Sequence, residues 1–96
     1  MNTVALIGFI SAFLTTGAFV PQALKTIKSR STADLSLGTF SMMFAGTIMW
    51  FIYGLHINDT PMIIANAITS CLTGIILGLK IYSIIGEKRI NRNYRL

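Results

Sequence analysis

Three long apolar runs, separated by short polar ones, organise the chain. The first extends from about Thr3 to Ile27, the second from about Leu37 to Ile57 and the third from about Met62 to Ile85. None contains an acidic residue. Each exceeds the ~20 residues that a helix needs to cross a ~30 Å hydrocarbon core. A membrane barrel would need short alternating strands, so the pattern predicts helices. The connection "KSRSTADLS" has the Ser, Thr and Asp content of turns and of an N-cap for the second helix. In the second connection, "NDTP", Asp59 or Thr60 can cap and Pro61 suits a first helical turn. The prediction is an all-α membrane protein. One three-helix transmembrane domain covers 1–86, and a basic, frayed tail covers 87–96.

Composition agrees with a lipid environment. Hydrophobic residues are 53% of the chain and charged residues 11%, against ~25% charged in an average soluble domain. A soluble fold of 96 residues could not bury that much apolar surface. The net charge of +5 raises nucleic acid as a partner. The cations argue against it, because they sit at the ends of apolar runs rather than on a polar face. Lys25, Lys28 and Arg30 flank the first connection, and Lys88, Arg89, Arg92 and Arg95 lie in the tail. Lys80 can snorkel to the same side. All eight cations then share one side, which the distribution of Lys and Arg marks as cytoplasmic. The N-terminus and the "NDTP" connection face outward. The N-terminal run lacks the basic region of a signal peptide and reads as a retained first span. The single Cys71 lies in an apolar run and reads as a small packing residue.

Helical spacing then sorts the spans into faces. Thr39, Met43, Gly46, Trp50 and Tyr53 recur at intervals of three or four on the second helix. Asn66, Thr69 or Ser70, and Thr73 do the same on the third. Polar groups in hydrocarbon should face a partner helix or a watery space. Counted from the outer ends of their helices, Trp50 and Asn66 lie at similar depth, roughly 7–11 Å in. An indole face beside a carboxamide suits a sugar: the ring stacks on C–H groups while the amide bonds hydroxyls. Two plainer readings stay open, Trp50 as a packing or interfacial anchor and Asn66 as helix glue. Gly8, Ala12 and Thr16, and Ser70, Gly74 and Gly78, form small-xxx-small series that suit close helix packing. The acids Asp34, Asp59 and Glu87 all lie outside the spans, and His56 is at an outer end. Without an intramembrane acid or His relay, facilitated diffusion is expected rather than proton coupling. No paired-carboxylate, Cys/His or metal-ligand constellation is present, so neither an enzyme nor a cofactor is expected. Three helices enclose no useful cavity, so function calls for a second copy.

The stretches "AFLTTGAFVPQALKTIKSRSTADLS", "W-F-x-Y-G" and "NDTPMIIAN" together resemble the bacterial SemiSWEET sugar transporters. These are the single-repeat relatives of SWEETs in the PQ-loop group. The resemblance covers roughly Phe9 to Lys80. It implies a triple-helix bundle packed in the order one, three, two, paired in a parallel homodimer with a SWEET-like 3+3 architecture in the bacterial inner membrane. Parallel repetition is already known for SWEETs and is not a deduction from this chain. The resemblance further implies a sugar pocket formed by Trp50 and Asn66 of both copies, with Gly46, Thr69 and Thr73 setting its volume. Tyr53 and Asp59 match an outer gate. The family often has Arg two residues before that Asp; here the position is Ile57, with His56 beside it. A weaker closure through Tyr53 and Asp59, helped by His56, is therefore expected. Phe19 and Met43 match apolar inner-gate positions.

Pro21 has no N–H, and its ring crowds the carbonyl of Gly17. The first helix is expected to bend between them, with Gln22 donating to the freed backbone. The expected role is a hinge for the inner gate, and a static kink is the alternative. The whole reading is a passive sugar uniporter working by alternating access. Two others stand beside it: a small non-transporting subunit of a larger membrane complex, and a PQ-loop exporter of cationic amino acids. The exporter lacks the intramembrane counter-ion a cation needs.

Overall fold

The structure is a computed structural model that describes residues 2–94. Arg95 lies outside the described residues. Three helices follow one another: α1 (Thr3–Ser29), α2 (Leu37–Ile57) and α3 (Thr60–Tyr94). There is no strand among the described residues, and all three helices are long and apolar enough to cross a membrane.

Side chains at the connections end and start the helices. Asn2 caps α1, its Oδ1 accepting from the Ala5 N–H at 2.7 Å. Ser36 caps α2 through the Thr39 N–H at 3.1 Å. Asp59 caps α3, its Oδ1 accepting from the Met62 N–H at 3.2 Å. Each cap satisfies a donor that has no intrahelical partner. At the other ends, Arg30 and Asn58 turn the chain with φ of 56° each, in the left-handed region. The α2–α3 corner is thus only two residues long, and it brings Met62 and Ile63 against Gly54. A Cβ added at Gly54 would lie 3.2 Å from Ile63 Cγ1 and 3.3 Å from Met62 Cγ.

Two helices run past their expected ends. Residues 87–94 continue α3 instead of fraying. An established helix adds residues without a new nucleation step, and Glu87, Lys88 and Arg89 are good helix formers. Pro21 does not interrupt α1, which runs two residues past the expected boundary. Gln22 is exposed, and its side chain makes no hydrogen bond to the Gly17 backbone among the described residues.

Helix α3 is central. It packs against α1 on one side and α2 on the other, and α1 and α2 do not meet. The order one, three, two is therefore the observed one. The α2–α3 seam closes on Gly74, where an added Cβ would lie 2.8 Å from Phe44 Cε1. The α1–α3 seam has Gly8 opposite Pro61, 3.6 Å from the same construction. Gly78, the last of its small-residue series, has nothing within 4 Å. The result is a slab of 66 × 25 × 15 Å, one or two helices thick, with little interior of its own. Ala23, Thr32, Gly54, Thr73 and Ile76 are the buried residues among those described.

Candidate substrate-facing surface

The polar stripe of α3 lies between the two seams. At about 3.6 residues per turn, Asn66, Thr69, Thr73, Ile76 and Lys80 share one side. Pro61, Ile64 and Ile68 lie roughly a third of a turn away. With Phe9, Phe13, Gly17 and Val20 of α1, those three line an apolar groove of about 430 Å³. The polar stripe and the apolar groove are therefore different faces of the same slab.

Along the stripe, exposure falls from the α2–α3 corner as far as Thr73 and Ile76 and rises again at Lys80. Asn66 is half-buried, and its Nδ2 donates to the Met62 carbonyl at 2.9 Å. Its Oδ1 makes no hydrogen bond among the described residues and is available as an acceptor. Thr69 is also half-buried. Thr73, expected to border the substrate space, has no exposed surface. Its hydroxyl donates within α3, to Thr69 O at 2.8 Å and Ser70 O at 3.3 Å. A threonine hydroxyl turned back on its own helix satisfies itself where no outside partner is offered. Thr73 is the packed floor below Asn66 and does not line open space in this conformation.

On α2, Gly46, Met49, Trp50 and Tyr53 line a shallow concavity of about 430 Å³. Trp50 is 54% exposed and Tyr53 52%. Their rings meet edge to face, with centroids 5.8 Å apart and planes at 77°. That contact fixes the Tyr53 ring and leaves a Trp50 face free. Gly46 has nothing within 4 Å of a would-be Cβ, which keeps the concavity open. Trp50 precedes the end of α2 by seven residues and Asn66 follows the start of α3 by six. At ~1.5 Å per residue both lie about 10 Å from the α2–α3 corner. They share a layer, but Asn66 and Thr69 do not line the Trp50 concavity within one chain.

The remaining expected positions divide by end. His56 is exposed in the last turn of α2, and Asp59 is half-buried at the start of α3. Tyr53 and Asp59 make no hydrogen bond to each other among the described residues; Asp59 Oδ1 accepts the capping bond from the Met62 N–H, and its other oxygen is free to accept. Phe19 and Met43 are half-buried in the halves of their helices nearer the α1–α2 connection, and Pro21 and Gln22 are exposed.

The PQ loop repeat family model matches residues 3–63, which include Pro21, Gln22, Trp50 and Tyr53. A sugar transporter SemiSWEET of Bradyrhizobium diazoefficiens is 47% identical over 78 residues, 81% of this chain and 91% of the relative. The chain belongs to the SemiSWEET branch of the PQ-loop family. A second SemiSWEET, from Leptospira biflexa, is 42% identical over 76 residues, covering 79% of this chain and 89% of that protein. A SemiSWEET crystal structure in the inward-open conformation superposes with a TM-score of 0.90 at 34% identity, covering 96% of this chain and 99% of that one. A crystal structure of a bacterial homologue of SWEET transporters gives 0.72 at 42% identity, covering 84% and 98%.

For a SemiSWEET-family chain, one feature is absent from the sequence pattern altogether. Lys80 does not simply snorkel. Its Nζ donates to the Thr32 carbonyl at 2.8 Å and lies 3.5 Å from that of Ala33. Nothing in helical periodicity signals a bond between residues 48 positions apart.

Proposed function

We propose that this protein is a passive sugar transporter that works as a parallel homodimer in the bacterial inner membrane, with its N-terminus outside and its C-terminus cytoplasmic. Membership of a family whose relatives are named sugar transporters supports the substrate class. The observation that carries the reading is the half-exposed Trp50 face at the same depth as the Asn66 amide, on a slab too thin to enclose a ligand alone. Two such slabs facing each other supply two indole faces and two carboxamides around one central space. Stacking on C–H faces and hydrogen bonding to hydroxyls then hold a mono- or disaccharide. Gly46 and Thr69 border that space, and Thr73 closes it below.

The outer gate is formed by Tyr53 and Asp59 meeting across the dimer axis, assisted by His56. The inner gate is formed by Phe19 and Met43, and α1 bends at Pro21 to work it. The similarity to an inward-open relative supports assigning this conformation to that state. No acidic residue lies within a span, so transport is uniport.

The test is uptake of radiolabelled glucose and sucrose into proteoliposomes containing only this protein, with and without a proton gradient. Saturable uptake that ignores the gradient and is lost in Trp50→Ala and Asn66→Ala is the expected result. No uptake of either sugar by folded dimers would remove glucose and sucrose as substrates. Uptake unchanged in both variants would remove the pocket.

A further inference from the structure

The α1–α2 connection is a built structure. Arg30 ends α1, its N–H donating to the Thr26 carbonyl at 2.9 Å. The Leu35 N–H donates to the Thr32 carbonyl at 3.1 Å and closes a turn, and Ser36 then caps α2. The Thr32 carbonyl thus accepts twice, from Leu35 and from the Lys80 ammonium. Thr32 is 2% exposed, and its hydroxyl is buried without a partner among the described residues. An orphaned buried hydroxyl is a destabilising feature, so another interaction must hold the turn in place. The hydrogen bond from the Lys80 ammonium is the charge-assisted one among those that hold this turn, and it ties the turn to α3.

The position of Lys80 gives this bond a consequence. It lies on the polar stripe of α3, below Asn66, Thr69 and Thr73. It therefore draws the inner end of α1, and the turn beyond it, back against the central helix. The only proline in α1 is Pro21, eight positions before Ser29. For the segment between Pro21 and Thr32 to swing toward a second copy, the Lys80 bond must let go.

We infer that Lys80 is a latch, a positioning residue that holds the inner half of α1 in the open position and is released when the inner gate closes. The inference rests on the alternating-access reading above. Lys80 touches no substrate in this role. It sets the population of the inward-open state through the Thr32 carbonyl.

Two readouts on reconstituted protein test it, in a Cys71→Ala background carrying a nitroxide at Ser29→Cys. Lys80→Met and Lys80→Arg are compared with the parent. Hydrogen exchange across residues 30–36 is expected to quicken about tenfold in Lys80→Met, as for loss of one hydrogen bond to a charged group. The spin–spin distance between the Ser29 positions of the two copies is expected to shift toward shorter values in the same variant. Lys80→Arg, which keeps the charge and the donors, is expected to stay near the parent in both. Unchanged exchange in Lys80→Met would overturn the latch. So would faster exchange with an unmoved distance, since Lys80 would then fasten the loop without biasing the gate. Absence of any inter-copy distance in the parent would instead overturn the two-copy reading on which the latch depends.

Discussion

At the scale of single residues, packing and function separate along α3. Gly74 and Gly78 belong to one small-residue series but have opposite surroundings. A methyl at Gly74 would press on the Phe44 ring at 2.8 Å, while one at Gly78 would meet nothing. Overpacking of that kind costs about 1–3 kcal/mol, and alanine recovers only about 1 kcal/mol of helix propensity relative to glycine. Gly74→Ala is therefore expected to lower the thermal unfolding midpoint in detergent, and Gly78→Ala to leave it unchanged or raise it. Equal midpoints for the two variants would show that the α2–α3 seam does not depend on that close approach. The same contrast shows how far sequence spacing reaches. Spacing correctly marks Gly74 as a packing position, because helical period alone places it on a seam. It cannot distinguish Gly78, because that depends on whether the neighbouring helix still lies alongside. Thr73 lies deeper than its spacing alone suggests for a related reason: period gives the side of the helix, not how deeply that side is covered.

At the scale of elements, α2 covers Leu37–Ile57, and Ser36 and Asn58 at its two ends have clear end-forming chemistry. The end of α3 was not legible in the sequence, because a polar tail without glycine or proline past Gly86 can continue a helix into water as readily as it can fray. Lys80 was legible as a cation near the interface and illegible as a latch, because its acceptor is a backbone carbonyl that any residue could supply. Pro21 was legible as a perturbation. Its effect is softer than a break, since α1 stays helical on both sides of it. A helix with one missing hydrogen bond at a fixed place is suited to bending there without unwinding. Pro21→Ala restores the N–H to the Gly17 carbonyl and stiffens that point. Initial sugar uptake at equal protein density is expected to fall roughly tenfold, the scale of a conformational step becoming limiting. Substrate binding by thermal shift should survive, because the Trp50 layer is not on α1. Wild-type uptake from Pro21→Ala would make the proline a shaping residue only.

At the scale of the whole molecule, the slab is incomplete by geometry and oriented by charge. It is 15 Å thin in one direction, and it leaves half of Trp50 and half of Tyr53 open at a depth where water is scarce. A second copy can cover that surface in a parallel or an antiparallel sense. In the antiparallel sense one copy would present all eight of its cations, those of the first connection, Lys80 and the tail, to the outside. The bias of Lys and Arg toward the cytoplasm opposes that arrangement in every copy alike, so both copies are expected to insert the same way round. Two measurements in intact cells check this. A Cys71→Ala background with Asn58→Cys should react with an impermeant maleimide from outside, and one with Ser31→Cys only after permeabilisation. A fluorescent protein fused to the C-terminus should bleach in two steps per particle in dilute liposomes. External labelling of Ser31→Cys in part of the population would reveal mixed orientation and end the parallel arrangement. Single-step bleaching would leave Trp50 without an opposite partner and favour the non-transporting subunit, because one slab supplies one indole, one carboxamide and no enclosure between them.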